Sequence, residues 1–207
     1  MSLILLYGSA LLLGSAHAFG PDHVAAVTVF ALRRPDPRSA MGFGIRWAAG
    51  HGVIIFGVGA LLVLAGAHLP SSADLLAERA AGWVLIGMGT WAVLRAPRLA
   101  HRAHHPDVRR SMHAAAHGPA AIGMLHGLAG NGTIVAIVPL AALGATAHRL
   151  GFLLAFALGT ALAMAAYAFL AGLVLHRTML ASQQLARGIA RSAGLLTVLI
   201  GLAWVIP

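Results

Sequence analysis

The chain contains no cysteine and no lysine. The first absence excludes a disulfide framework and any thiolate metal site. The second leaves arginine to supply all 14 basic residues, a usage that, with abundant alanine and glycine, suggests a GC-rich bacterial genome. Acidic residues are scarce too: five in 207 positions, of which Glu78 is the single glutamate. No H-E-x-x-H pair is present and no glutamate falls in a long apolar run, which argues against a zinc-hydrolase site. A nucleotide-binding motif is also missing, so any work the protein does must draw on a gradient, a membrane potential or a partner. Charged residues make up only 9% of the chain and hydrophobic ones 59%. A soluble domain carries roughly a quarter charged residues, so this chain is not built to face water.

What is present is a series of apolar runs. They extend from Leu3 to Leu32, Trp47 to Leu69, Ala80 to Leu94, Gly118 to Ala147, Leu150 to Leu175 and Ala193 to Ile206. A helix needs about 20 apolar residues to cross a bilayer. The pattern therefore predicts an all-α polytopic membrane protein of six transmembrane helices in a single domain covering residues 1–207. Met1 to Ala18 imitates a signal peptide with Ala16-His17-Ala18 as its cleavage site, but it lacks a positive n-region and the apolar run continues past it. It is expected to remain on the chain.

The formal charge of +9 does not mark nucleic-acid binding, because the arginines lie between the apolar runs. Eleven of them fall in the first, third and fifth loops, from Arg33 to Arg38, Arg95 to Arg110 and Arg177 to Arg191, against Arg79 and Arg149 in the others. By the positive-inside rule those three loops are cytoplasmic and both termini lie outside a bacterial inner membrane. Leu180 to Arg191 reads as an interfacial lead-in to the last helix.

The sequence also repeats itself. Gly14-x-x-His17-x4-Asp22 recurs as Gly123-x-x-His126-x4-Asn131, and the same offset of 109 residues carries Gly42-Phe43 onto Gly151-Phe152 and Gly50-His51 onto Gly159-Thr160. Three spans separate the copies, so the second enters the membrane inverted. Repeat 1 covers about 1–95 and repeat 2 about 118–207, joined by a cytoplasmic loop from about 95 to 117. Inverted repeats with interrupted helices are a transporter architecture.

The stretch His17-Ala-Phe-Gly-Pro-Asp-His23 sets two imidazoles and a carboxylate inside the first apolar run. On an unbroken helix, at 100° per residue, His17 would point about 140° from Asp22 and about 240° from His23. Gly20-Pro21 resolves the conflict by breaking the helix there. Because Pro21 has no N–H for the carbonyl of His17, the break is expected to leave a loose backbone oxygen beside a cavity. Counting about 1.5 Å per residue puts His17, Asp22, His23, His51, His126 and Asn131 at depths of roughly 8 to 22 Å from the cytoplasmic face. Polar groups from three helices can thus meet near the midplane.

A lone intramembrane histidine or asparagine often does no more than join helices, and His68, His148 and His176 at helix ends need no other role. Asp22 is different, since a carboxylate at that depth costs about 2.5 to 3.5 kcal/mol. A bound cation offsets the cost. Imidazole with carboxylate, without thiolate, suits divalent Ni, Co or Zn. The expected metal ligands are His17, Asp22, His23 and His51. His126, Asn131 and Thr160 are candidate ligands or a gate from the second half, with helix joining as the alternative. His101, His104, His105, His113 and His117 in the middle loop form either a metal-capture tract or a plain polar loop.

These residues resemble a known family. His17-Ala-Phe-Gly-Pro-Asp-His-Val-Ala-Ala-Val27 is similar to the H-A-x3-D-H signature of nickel/cobalt transporters, the NiCoT family and its NicO relatives. Gly50-His51 with the residues that follow resembles that family's Gly-His motif. Leu125 to Thr133, the six-span length and the histidine-rich loop look like the short urease-accessory-type (UreH-like) branch. The eight-helix members' Asp-Thr-Ala-x-Glu motif has no counterpart here. The resemblance implies a permease for Ni2+ or Co2+, with no cofactor beyond the transported ion and with His17, Asp22, His23 and His51 as its ligands. A metallochaperone or a second copy of the chain is the protein partner this reading allows, and nucleic acid is not among its partners. The other classes weighed are an intramembrane metal-dependent enzyme or an accessory protein for a metalloenzyme, and an anion exporter. The last is disfavoured by Asp22 and by the scarcity of arginine within the spans.

Overall fold

A computed structural model describes residues 2–33, 36–66, 71–102, 118–129 and 143–206. Every regular element among them is a helix: α1 (Leu3–His17), α2 (Pro21–Arg33), α3 (Pro37–Ala65), α4 (Ser71–Arg102), α5 (Gly118–Leu128), α6 (Thr146–Ala181) and α7 (Gln183–Val205). Local chemistry sets several of the ends. Asp36 caps α3 by accepting the Ser39 N–H at 2.8 Å, with Pro37 in the first turn, the arrangement that side-chain capping and proline's fixed φ favour. Gly66, at φ +61°, closes the same helix in the left-handed conformation glycine adopts freely. Ser182 ends α6 and caps α7 through the Leu185 N–H at 3.2 Å.

Helices α3, α6 and α7 are each long and apolar enough to cross a membrane. Helices α1 and α2 qualify as a pair bent by 60° at their break, which makes four candidate spans when the pair is one crossing. Some boundaries differ from the apolar runs. Helix α3 starts at Pro37, ahead of the run at Trp47, because the Asp36-Pro37 cap signal outweighs the two arginines that follow. Arg38 and Arg46 stay exposed, where long stems let the charged heads reach the interface. Residues 183–191 form the first turns of α7, continuous with the apolar run that starts at Ala193. The fourth run is described only as α5, up to Leu128; residues 130–142, and with them Asn131, lie outside the described residues, as do His68, His104, His105, His113 and His117.

Glycines bring the helices together. A Cβ at Gly14 of α1 would run into the Phe156 carbonyl of α6, and one at Gly159 of α6 into that of Leu11. The same relation holds between α5 and α3: Gly123 lies on the Trp47 carbonyl, and Gly50 on that of Ala120. Each of these contacts has its counterpart at the offset of 109 residues. Helices α3 and α6 cross in opposite directions, Gly44 meeting Ala168 and Gly59 meeting Leu153. Helices α4 and α7 do likewise, with Gly82 on Gly201 and Gly89 on Gly194. Small residues allow such approach where helices gain little from the hydrophobic effect against lipid. The pairs Tyr7–His148 and Thr160–Gly14 make α1 and α6 parallel. A core of Ala18, Ala26, Val27, Trp47, Leu85 and Met164 surrounds the point where α1 stops.

Candidate metal centre

Helix α1 ends at His17 because Pro21 cannot continue its ladder. The Ala18 N–H still reaches the Gly14 carbonyl at 3.1 Å, and two tighter turns follow, Phe19 N–H to Ala16 and Gly20 N–H to the His17 carbonyl at 2.9 Å. The expectation of a loose His17 oxygen is therefore corrected. Gly20 closes a short turn and satisfies it. The Gly20 carbonyl then accepts the Val24 N–H at 3.0 Å, so the next helix starts immediately. A Cβ at Gly20 would lie 2.8 Å from Asp22 Oδ1 and 3.5 Å from His23 Nδ1. Glycine is needed there for space.

The bend turns His17 and His23 toward each other, with ring centroids 4.7 Å apart. His51, from the middle of α3, completes the group at 5.4 Å from His17 and 4.9 Å from His23. His51 Nε2 lies 3.2 Å from His17 Nε2 and 3.5 Å from His23 Nε2. One nitrogen from each of the three falls within 4.8 Å of the others, a group that could hold a metal ion. Nitrogens about 2.0–2.1 Å from a common metal stand roughly 3.0 to 3.4 Å apart, which two of these contacts nearly meet. His23 and His51 are 2% and 1% exposed, so bulk water does not compete for their lone pairs.

Asp22 stands outside that group of three. Its Oδ2 accepts the His23 Nδ1–H at 2.6 Å, a short charge-assisted bond. Holding Nδ1–H in this way leaves His23 Nε2 with its lone pair toward His51, as carboxylates do for metal-binding histidines. Asp22 also sits in the first turn of α2, where unpaired N–H groups favour a negative charge. A cavity of about 300 Å3 adjoins the group, lined by His17, Gly20, Asp22, His23, Ala129 and Trp204.

The second-half candidates are placed differently. His126, near the end of α5, is buried, donates Nδ1–H to the Ile122 carbonyl at 3.1 Å and has its ring 6.1 Å from that of His23. Thr160 is buried, and its hydroxyl lies 3.0 Å from two carbonyls, Gly14 and Phe156, at the α1–α6 seam. His101 falls in the last turn of α4.

Sequence reasoning passed over Trp47, which is fully buried with its ring 5.0 Å from His23, 6.0 Å from His51 and 5.4 Å from His126. The signal was there: Trp47 precedes His51 by four residues and so shares its helix face. Trp204, 6.4 Å from His126, was also missed. No neighbouring sequence pattern marks it.

No family model matches the chain, and no solved structure matches it. The urease accessory protein UreH of Bacillus sp. (strain TB-90) is 27% identical over 169 residues, which cover 78% of this chain and 73% of that protein. The likeness to the UreH-like branch, carried in the sequence by Leu125 to Thr133, the six-span length and the histidine-rich loop, is thus matched along most of the chain.

Proposed function

We propose that the protein is a membrane permease that moves Ni2+ or Co2+ through the centre formed by His17, His23 and His51, with Asp22 behind it. The observation that carries this reading is the convergence of three imidazole nitrogens from a broken helix and its neighbour inside an apolar bundle. An imidazole can replace part of an ion's hydration shell, and Asp22 supplies charge compensation that neutral ligands lack. The adjoining cavity suits a hydrated ion. Six waters at about 30 Å3 each occupy roughly 180 Å3, less than the volume beside Asp22. The choice of metal rests on the family resemblance alone.

The chain forms, on this reading, six spans in two inverted halves, and His126, Asn131 and Thr160 gate the site from the second half. Support comes from the paired glycine contacts at one offset and from the parallel and antiparallel directions of the helix pairs, which suit alternating crossings. Both termini lie outside the inner membrane, and the middle-loop histidines collect metal on the cytoplasmic side. The UreH relative is named as an accessory protein of an enzyme, urease, which accords with a supporting role rather than with catalysis by this chain.

The test is flux of 63Ni2+ or 57Co2+ into sealed proteoliposomes holding the purified protein, compared with empty liposomes. Saturable uptake is expected for at least one of the two ions, with Mg2+ a poor competitor. Absence of flux for both, with the protein folded and inserted, overturns the permease reading.

A further inference from the structure

Of three buried side-chain nitrogens with no hydrogen-bond partner among the described residues, one is His51 Nδ1 within the three-histidine group and two lie close to that group: Trp47 Nε1 and His126 Nε2. The latter two are of opposite kinds. An indole N–H can only donate. His126 already gives its Nδ1–H to the Ile122 carbonyl, so in the neutral ring Nε2 is a lone pair. Both residues are less than a tenth exposed.

The two also share a seam. Their rings lie 5.4 Å apart at 70°. A Cβ at Gly123 would be 2.9 Å from Trp47 Cδ1, the atom bonded to Nε1, so the pyrrole edge of the indole faces α5. Gly123 precedes His126 by three residues and lies on the same face of that helix. A donor and an acceptor, both dehydrated and left apart, match a ligand that offers one of each.

We infer that His126 and Trp47 form a second station for the transported ion, in which His126 Nε2 binds the metal and the Trp47 N–H holds a water that the metal retains. This rests on the permease reading and adds a step to it. Two imidazoles on one metal have centroids at most about 6.4 Å apart, and the His23 and His126 rings are 6.1 Å apart. At tetrahedral angles the separation is nearer about 5 Å, so an approach of about 1 Å between these two rings lets an ion leaving His17 and His51 reach His126 while His23 still holds it. Two divalent ions this close repel strongly, so a single ion passes between the stations.

The experiment measures Co2+ binding to purified full-length protein in nanodiscs, by equilibrium titration and by the ion's absorption spectrum, beside Co2+ flux in proteoliposomes. The variants are His126→Gln and Trp47→Phe, the second keeping an aromatic ring without the N–H, with His51→Ala as reference. Both are expected to bind one Co2+ per chain within about threefold of the parent affinity. Flux at saturating Co2+ should fall about tenfold or more in His126→Gln and several-fold in Trp47→Phe. Unchanged flux in either variant overturns the second station, as does a loss of binding in His126→Gln equal to that in His51→Ala. His126→Asn replaces the glutamine variant should gel filtration show that the latter is misfolded. Should His51→Ala bind Co2+ as tightly as the parent, the three-histidine centre fails instead.

Discussion

The α1–α2 elbow and α5 each carry a histidine three residues after a glycine that presses on a neighbouring helix, yet the two histidines stand in different chemistry. His17 ends its helix and faces His23 and His51. His126 lies within the last turns of α5, with one nitrogen tied to its own helix. The packing is alike on both sides: Gly14 on Phe156, Gly123 on Trp47, and each histidine ring about 5.5 Å from the aromatic that follows from that contact, Phe156 or Trp47. What differs is Pro21, Asp22 and His23, which have no equivalents in kind around Asn131. On a shared scaffold, only the elbow thus brings three imidazoles together in a group that could hold a metal ion, among the described residues. Duplicated packing constrains glycines, while the chemistry is free to diverge where side chains face the cavity.

The largest effect that can break this comparison comes from the ligands. His51→Ala or His17→Ala should weaken Co2+ binding about 100-fold or more, by removing one of three imidazoles, whereas His126→Ala should change it little. Isothermal titration on the purified protein decides it. Equal losses on both sides would mean that the two halves share one site.

Asp22→Asn comes next. The amide keeps an oxygen near His23 but no charge, and a partner behind a metal-binding histidine is typically worth 10- to 100-fold in affinity. Transport should fall at least as far, in protein that reaches the membrane in normal amount. Asn131→Asp should leave measurable flux. Wild-type affinity in Asp22→Asn would remove the carboxylate from the mechanism.

The scaffold can be tested apart from the chemistry. Gly14→Ala and Gly123→Ala each push a methyl into a backbone carbonyl, and overpacking of this kind costs about 1–3 kcal/mol. Their losses of thermal stability in detergent should match. A large disparity would show that the two seams are not equivalent. Smaller still is Thr160→Val, which removes a hydroxyl bridging Gly14 and Phe156 and should cost about 1 kcal/mol. Flux should slow by more than that loss explains, as expected of a gate residue; flux that tracks stability alone would leave Thr160 a helix-joining hydroxyl. An abolished flux with unaltered stability would give Thr160 a direct role with the ion.

Much of this was open to reading in the one-dimensional pattern. Apolar runs need no partner to be recognised, because a helix in lipid satisfies its own backbone, and the elbow follows from the covalent chemistry of Gly20-Pro21. The likeness of the two halves was visible in Gly14, Gly50, Gly123 and Gly159, since only glycine permits the backbone approach that each makes. Helix ends were less legible where a polar cap such as Asp36 extends a helix past its apolar run.

Sequence by itself therefore determined that His17, Asp22, His23 and His51 are polar groups held in an apolar setting, a cost that calls for compensation. Only the tertiary structure decided how they divide. The crossing of α3 beside the elbow sets three Nε2 atoms together, and the 60° bend aims Asp22 at the far side of His23 rather than into their midst. The same packing leaves Trp47, His126 and His51 each with a nitrogen that has no partner among the described residues. Those outcomes depend on how helices far apart in the chain pack against one another, and residue spacing carries no such information.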